Sequence, residues 1–226
     1  MAAFFADSTL KTRMPSSSRS VTILPILAAA LFGPLLAWRR LGPLDFWWGM
    51  SLSIAILVGL STLVDRRRRP SWLEAWRDGA GRKIGLGLLS GLLLYGVFWA
   101  GDSLSRAVLP AAGKEIEAVY SFRQDASIIR IGLLIVLIIG PGEELFWRGF
   151  LQRRWQNSLG RSAGWLSAAA FYAFVHAGSG NFMLILSALV CGLYWGALYS
   201  WSRSVLFVAV SHTLWDLLIF VLFPLG

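Results

Sequence analysis

Charge is scarce in this sequence. Only 15% of its 226 residues are charged, against 56% hydrophobic, whereas a soluble domain carries roughly 25% charged residues. That balance excludes a water-soluble globule. Cysteine is all but missing: Cys191 stands alone, which excludes an internal disulfide and a cysteine metal cluster. It lies among Ser187, Gly192 and Gly196, small residues suited to helix packing. Histidine occurs only twice, as His176 and His212. There is no phosphate-binding glycine loop, no nucleophile elbow and no internal repeat, so several large enzyme classes drop out at once.

What the chain has in quantity is apolar sequence, with a mean hydropathy of +0.62. Windows of about 20 apolar residues, long enough to cross a bilayer, recur along it. The expected spans are Val21–Trp38, Phe46–Val64, Ile84–Trp99, Ile128 to about Trp155, Trp165–Ala177, Phe182–Ser200 and Val205–Phe223. The fold class is therefore all-α: a polytopic transmembrane bundle of about seven spans enclosing a polar cavity. Residues 21–226 form one transmembrane domain behind a Ser-rich, basic tail, 1–20, expected to be loosely ordered. Val21–Trp38 reads as an anchor rather than a cleaved signal. Its apolar run is long, and Trp38-Arg39-Arg40 stands where a small-residue cleavage site would be.

The net charge of +9 could suggest a nucleic-acid partner, but its distribution argues for topology. With the N-terminus in the cytoplasm, 15 Lys and Arg fall on the inner side, including Arg66 to Arg69 and Arg153-Arg154, and six on the outer side. The positive-inside rule then puts the C-terminus outside. The expected partners are the lipid bilayer and a membrane-associated protein or peptide, with no nucleic acid. Within Asp65–Lys83, Trp72, Leu73 and Trp76 share one helical face beside the four arginines. This reads as an interfacial helix or a plain topology signal. The outer loop Gly101–Ser127 is mixed in charge and is expected to pack over the bundle. Gly87-xxx-Gly91 and Gly192-xxx-Gly196 are ridges for close helix contact.

Of the twelve acids, only Glu143, Glu144 and Asp216 fall inside spans. Ionisable groups in hydrocarbon are costly unless paired or hydrated, and by default they mark a working site. Glu143 is 10 residues from Arg153, His176 is 15 from Arg161, and His212 is 9 from Arg203. At 1.5 Å per residue these separations become similar depths, roughly 14–22 Å from the inner side. Glu144 and Arg148 stand i,i+4 with the acid first, the favourable order for a helical ion pair. Glu143 points about 100° away on the helix and is free to face a cavity. Gly140-Pro141-Gly142, just before it, is expected to kink or open the helix and admit water. Tyr172 lies one turn before His176, and Asp216 one turn after His212, where a carboxylate can fix an imidazole tautomer. The plain alternatives are a surface salt bridge at a helix end and two packed histidines. The apolar continuation Leu145-Phe146-Trp147 argues against the first, and the concentration of all these groups in one region against the second.

Glu-Glu-xxx-Arg, then aromatic-xxx-His, then His-xxx-Asp, in that order on successive helices, resembles the CPBP family. These are the CAAX prenyl endopeptidase and bacteriocin-processing (Abi) intramembrane proteases. The resemblance spans about Ile128 to Phe223. It implies Glu143 as the base that activates water, with His176 as its companion. His212 and Asp216 would stabilise the developing oxyanion, and Glu144 and Arg148 would support the site. The chain departs from the family pattern at Tyr172, where Phe is usual, and at Asp216, where the prenyl-protein peptidases have Asn. An amide can donate to an oxyanion and an ionised carboxylate cannot, so Asp216 is left to orient His212 or to act in protonated form.

Two histidines and a glutamate could also form a His₂Glu zinc set of Glu143, His176 and His212. The chain lacks His-Glu-xx-His, and a metal-free, glutamate-type peptidase is favoured. The expected function is endoproteolysis of a membrane-associated protein or peptide, within a cavity opening toward the inner leaflet. The resemblance implies the cytoplasmic (inner) membrane of a bacterial cell. Two alternatives stay open. One is a non-catalytic immunity or peptide-binding protein. The other is a proton-coupled transporter, for which paired broken helices would be expected and only one interruption is evident.

Overall fold

The computed structural model describes residues 18–65, 79–124 and 126–225. Most of the N-terminal tail lies outside the described residues, as do Trp72, Leu73 and Trp76 of the expected interfacial helix. Eight helices follow in order: α1 (Ser18–Trp38), α2 (Phe46–Val64), α3 (Ala80–Val108), α4 (Ala112–Tyr120), α5 (Ile128–Leu159), α6 (Arg161–His176), α7 (Phe182–Ser202) and α8 (Val205–Leu222). The only strands among the described residues form a two-residue hairpin, Arg40–Leu41 against Leu44–Asp45, turning at Gly42-Pro43 between α1 and α2. The all-α expectation holds.

Helices α2, α3, α7 and α8 are each long and apolar enough to cross a membrane, and α4 with α5 passes as one bent span. Length and composition thus give four or five crossings among the described residues. The apolar part of α1, Ile23–Trp38, falls in a shorter class. At 16 residues, α6 reaches only about 24 Å of a hydrocarbon core of about 30 Å.

Between helices in lipid there is no hydrophobic driving force, so close packing has to hold them together. Both glycine ridges do this. A Cβ on Gly87 or Gly91 would stand 2.8 Å from Val210 or from the Ser211 carbonyl on α8, and one on Gly192 would stand 3.1 Å from Ala169 on α6. Asp45 starts α2 by accepting hydrogen bonds from the amides of Trp47 (3.0 Å) and Trp48 (3.2 Å), a cap worth about 0.5–2 kcal/mol. The same carboxylate binds Arg130 at the start of α5, 2.7 Å away. At the other end of the bundle Asp65 meets Arg153 and Arg154 of α5.

The Gly140-Pro141-Gly142 segment departs from expectation. Helix α5 does not break there. It continues through the proline, with widened π turns at Ile135–Ile139 and Leu145–Gln152 on either side. Proline has no N–H to give the carbonyl four residues back, and a wider turn absorbs that mismatch without opening the helix. The flanking glycines serve close approach. A Cβ on Gly140 would overlap Thr213 of α8, and one on Gly142 would overlap Ile54 of α2. The segment is a notch that draws α2 and α8 against α5 immediately before Glu143.

The described part of the 101–127 segment does pack over the bundle. It consists of the end of α3, the short α4 and a 3₁₀ turn at Ser121–Arg123. Phe122 stacks on Phe46 at 4.5 Å and its carbonyl accepts from the Trp47 indole at 2.9 Å. Glu115 accepts from the Met183 amide at 2.8 Å, which ties α4 to the start of α7.

Candidate active site

Seven helices line one cavity of about 100 Å³, room for roughly a few waters, and four of them, α5 to α8, bring its polar groups. On α5, Ile139, Glu143 and Trp147 line it at four-residue intervals. On α6 it is lined by Tyr172 and His176, on α7 by Cys191 and Trp195 among others, and on α8 by His212, Trp215, Asp216 and Phe220. This spacing is what one face of an α-helix presents. The four expected catalytic residues Glu143, His176, His212 and Asp216 therefore share a single wall. Glu144 and Arg148, one position round α5, are fully buried behind it. Cys191, expected simply to pack, is buried and also lines the cavity.

The supporting layer is dense. Arg148 Nη1 donates to Glu144 Oε1 at 2.7 Å, the expected i,i+4 pair. The same oxygen lies 2.7 Å from His212 Nδ1 on α8, a tie across 68 residues of sequence that helical spacing could not reveal. Since a carboxylate only accepts, Nδ1 of His212 carries its proton, and Nε2 is turned toward Asp216 Oδ2, 3.4 Å away. That separation is too long for a good hydrogen bond. The ring of Trp195 stacks on His212 with centroids 3.8 Å apart, and the Arg148 guanidinium lies 5.1 Å over Tyr172 and 5.5 Å over Trp195. Trp195 was not among the expected site residues. In sequence it is one of twelve tryptophans with nothing local to single it out.

Tyr172 acts twice. Its hydroxyl donates to Glu143 Oε2 at 2.9 Å. Its backbone carbonyl lies 2.7 Å from His176 Nδ1. A carbonyl can only accept, so Nδ1 of His176 holds the proton and Nε2 is left with a free lone pair. Glu143, expected to face a cavity away from Arg148, has one neutral donor and no cation directly bound. The substitution of tyrosine for the usual phenylalanine supplies that donor.

Three buried polar atoms here have no hydrogen-bond partner: Glu144 Oε2, Trp147 Nε1 and Trp215 Nε1. Unpaired buried polar groups are uncommon and point to a missing partner such as water or ligand. No three His, Cys, Asp or Glu side chains among the described residues stand where they could jointly hold a metal ion.

The cavity lies at the end of the bundle that carries the α1–α2 hairpin and α4, since Leu36, Phe46, Val119 and Phe122 line it. The arginine-rich end, with Asp65, Arg153, Arg154 and Arg203, is the opposite one. An opening toward the inner leaflet therefore does not accompany an N-terminus in the cytoplasm. Under that orientation the cavity lies in the outer half. Counting residues from the arginines gave the depths, but not the side from which the space is reached.

A family model described as type II CAAX prenyl endopeptidase Rce1-like matches residues 125–218. The chain carries an Rce1-like domain. The match begins just before α5 and ends within α8, so it contains every polar residue of the cavity. The matched segment is similar to the CAAX membrane proteases that the model describes, and the long apolar helices make the chain an integral membrane protein. No curated protein and no solved structure matches the chain. Outside the matched segment, α1, α2, α4 and the 3₁₀ turn after α4 contribute only apolar cavity wall, including Phe32, Phe46, Trp47, Val119 and Phe122.

Proposed function

We propose that the protein is an intramembrane endopeptidase that hydrolyses a peptide bond by glutamate-activated water. The observation that carries this reading is the convergence of Glu143, His176, His212 and Asp216 on one cavity, inside the segment that matches the protease family. Glu143 removes a proton from water as the oxygen attacks the scissile carbonyl, and the C=O π electrons move onto oxygen. His212, held by Glu144, stabilises that oxyanion through Nε2–H when the ring is protonated, and Asp216 orients it. Collapse of the tetrahedral intermediate expels the amine, which takes the proton from Glu143, directly or through His176 Nε2. The products are one carboxyl-terminal and one amino-terminal fragment, with the base regenerated. Arg148 pairs with Glu144, and Tyr172, donating to Oε2, fixes the rotamer of Glu143.

The mechanism we infer is metal-free. Among the described residues Glu143, His176 and His212 line one cavity but do not stand where three such groups could jointly hold an ion. The N-terminus and the arginine-rich end lie in the cytoplasm, and the scissile bond approaches from the opposite half of the bilayer.

One reconstitution tests the reading. Purified protein in liposomes should cleave a membrane-anchored peptide, and Glu143→Gln should lower the rate by at least about 10²-fold with an unchanged melting temperature. Activity should survive chelation. Full cleavage by the variant, or activity lost on chelation and restored by zinc, would overturn the mechanism.

A further inference from the structure

A single hydrogen bond does not fix an imidazole. His212 donates from Nδ1 to Glu144 Oε1 at 2.7 Å, while Asp216 stands 3.4 Å from Nε2, too far to hold it. One bond leaves the ring free to tilt about it. The tilt is set instead by Trp195, which is fully buried and stacks on the imidazole at 3.8 Å with the planes 23° apart.

Trp195 is itself tethered. An indole, unlike a phenyl ring, carries an N–H that can be bonded in the plane of the ring. Its Nε1 donates to Ser211 Oγ at 3.2 Å. That oxygen lies 3.0 Å from Ser90 Oγ on α3, which lies 2.9 Å from the Tyr194 hydroxyl. The hydroxyl also donates to the Ser90 carbonyl at 3.0 Å. One proton order then satisfies every group: Trp195 to Ser211, Ser211 to Ser90, Ser90 to Tyr194, and Tyr194 to the carbonyl. The path begins and ends on adjacent residues of α7 and passes through the residue before His212 on α8. Neighbours on a helix point about 100° apart, so Trp195 and His212 face each other while Tyr194 and Ser211 reach α3. Gly91 brings α3 near enough, since a Cβ there would stand 2.8 Å from the Ser211 carbonyl.

We propose that Trp195 is a positioning residue for His212, and that the Ser90–Ser211 link, with Tyr194 behind it, holds the indole in the plane that turns Nε2 toward Asp216. Helix α3 lies outside the matched segment 125–218 and puts no residue on the cavity wall. Through Ser90 it nonetheless sets the attitude of a catalytic ring. The effect on turnover rests on the peptidase reading, whereas the effect on the ring does not.

The test reads the ring and the turnover separately. The chain has two histidines, so isotopically labelled histidine in the full-length protein in nanodiscs gives two sets of ring signals. His176 reports the fold and His212 the stack, because an indole face shifts the protons of a ring stacked on it upfield. Ser90→Ala and Tyr194→Phe cut the path at two points. Each should move the His212 signals downfield and leave those of His176 in place. In liposomes both should lower kcat about three- to tenfold with KM within about twofold. Trp195→Phe, which keeps a ring and loses the tether, should lower kcat about tenfold. Ser53→Ala removes a buried hydroxyl bonded within its own helix to the Gly49 carbonyl and should change neither readout. His212 signals that stay in place in Ser90→Ala and Tyr194→Phe would overturn the tether. Equal displacement of both histidines would make the path a packing device and overturn it too. Displaced His212 signals with wild-type kcat would overturn its part in catalysis. The expected shifts in a protein whose wild type cleaves nothing would overturn the peptidase reading and leave the positioning of His212 standing.

Discussion

The two ends of the bundle handle buried polar groups in opposite ways. At the arginine-rich end, Gln156 Nε2 donates to Ser200 Oγ at 2.7 Å and to the Arg161 carbonyl at 3.0 Å, and its Oε1 accepts from Arg203 at 2.8 Å. Gln152 donates to the Gly196 carbonyl at 2.8 Å and to Ser200 at 3.1 Å. Apart from Arg154 Nε, the network closes on itself. At the cavity end, Glu144 Oε2, Trp147 Nε1 and Trp215 Nε1 are left without partners, and Glu143 is held by a single hydroxyl. A satisfied network locks helices together, whereas one whose groups find few partners within the protein holds them less firmly. Polar content alone would not separate the two ends. Saturation does.

The sharpest way to break that comparison is Arg148→Ala, because Arg148 belongs to both ends in kind: buried, fully paired, and next to the site. Its loss leaves Glu144 uncompensated and should cost about 3–5 kcal/mol of stability, along with activity. Glu143→Gln should abolish activity and leave the melting temperature in place. Equal melting temperatures for the two variants in detergent would contradict the division between support and catalysis. Next in size is Gln156→Ala, which opens the closed network. It should cost about 1–3 kcal/mol in thermal or denaturant unfolding with kcat within twofold of wild type.

Tyr172→Phe restores the family's usual residue and removes the one donor to Glu143. With the ring retained, stability should change little, while kcat falls about three- to tenfold, the worth of one hydrogen bond. A fall in stability with unchanged kcat would make the hydroxyl a packing feature. The smallest effect is expected for Asp216→Asn. At 3.4 Å from His212 Nε2 the carboxylate makes no strong bond in the resting site, and an amide can orient the ring or donate to the oxyanion. Activity should stay within about tenfold of wild type. A loss as deep as that of Glu143→Gln in a folded protein would mean that the carboxylate itself is required.

The same contrast explains what could be read in the sequence. Features within one helix were legible, because they depend on the 3.6-residue repeat: Glu144 with Arg148, Tyr172 with His176, His212 with Asp216, and the two glycine ridges. Features that depend on how helices meet were not. The Glu144–His212 bond and the Trp195 stack join α8 to α5 and α7 through packing that no local pattern encodes. The Gly140-Pro141-Gly142 segment misled for a related reason. Its glycines answer to Thr213 and Ile54 on other helices, which the local sequence does not show. The side of the cavity was lost because α4, whose composition is that of a loop, caps it and shares its wall.

Helix α1 meets the turn after His176 backbone to backbone: a Cβ on Gly178 would overlap the Gly33 carbonyl. Gly178 cannot be enlarged while that contact lasts, whereas a Cβ on Gly33 would meet nothing within 4 Å, so the turn after His176 is braced by a helix well outside the matched segment 125–218. The matched segment is therefore shorter than the packed unit that holds His176 in place. Grafting residues 125–218 onto another membrane scaffold would transplant the acids and histidines without the abutment that sets the height of His176. Sequence on the Gly33 side is free to diverge in everything but the room it leaves. Two relatives could thus share every catalytic letter and still differ in what they admit, through a helix that carries no catalytic letter at all.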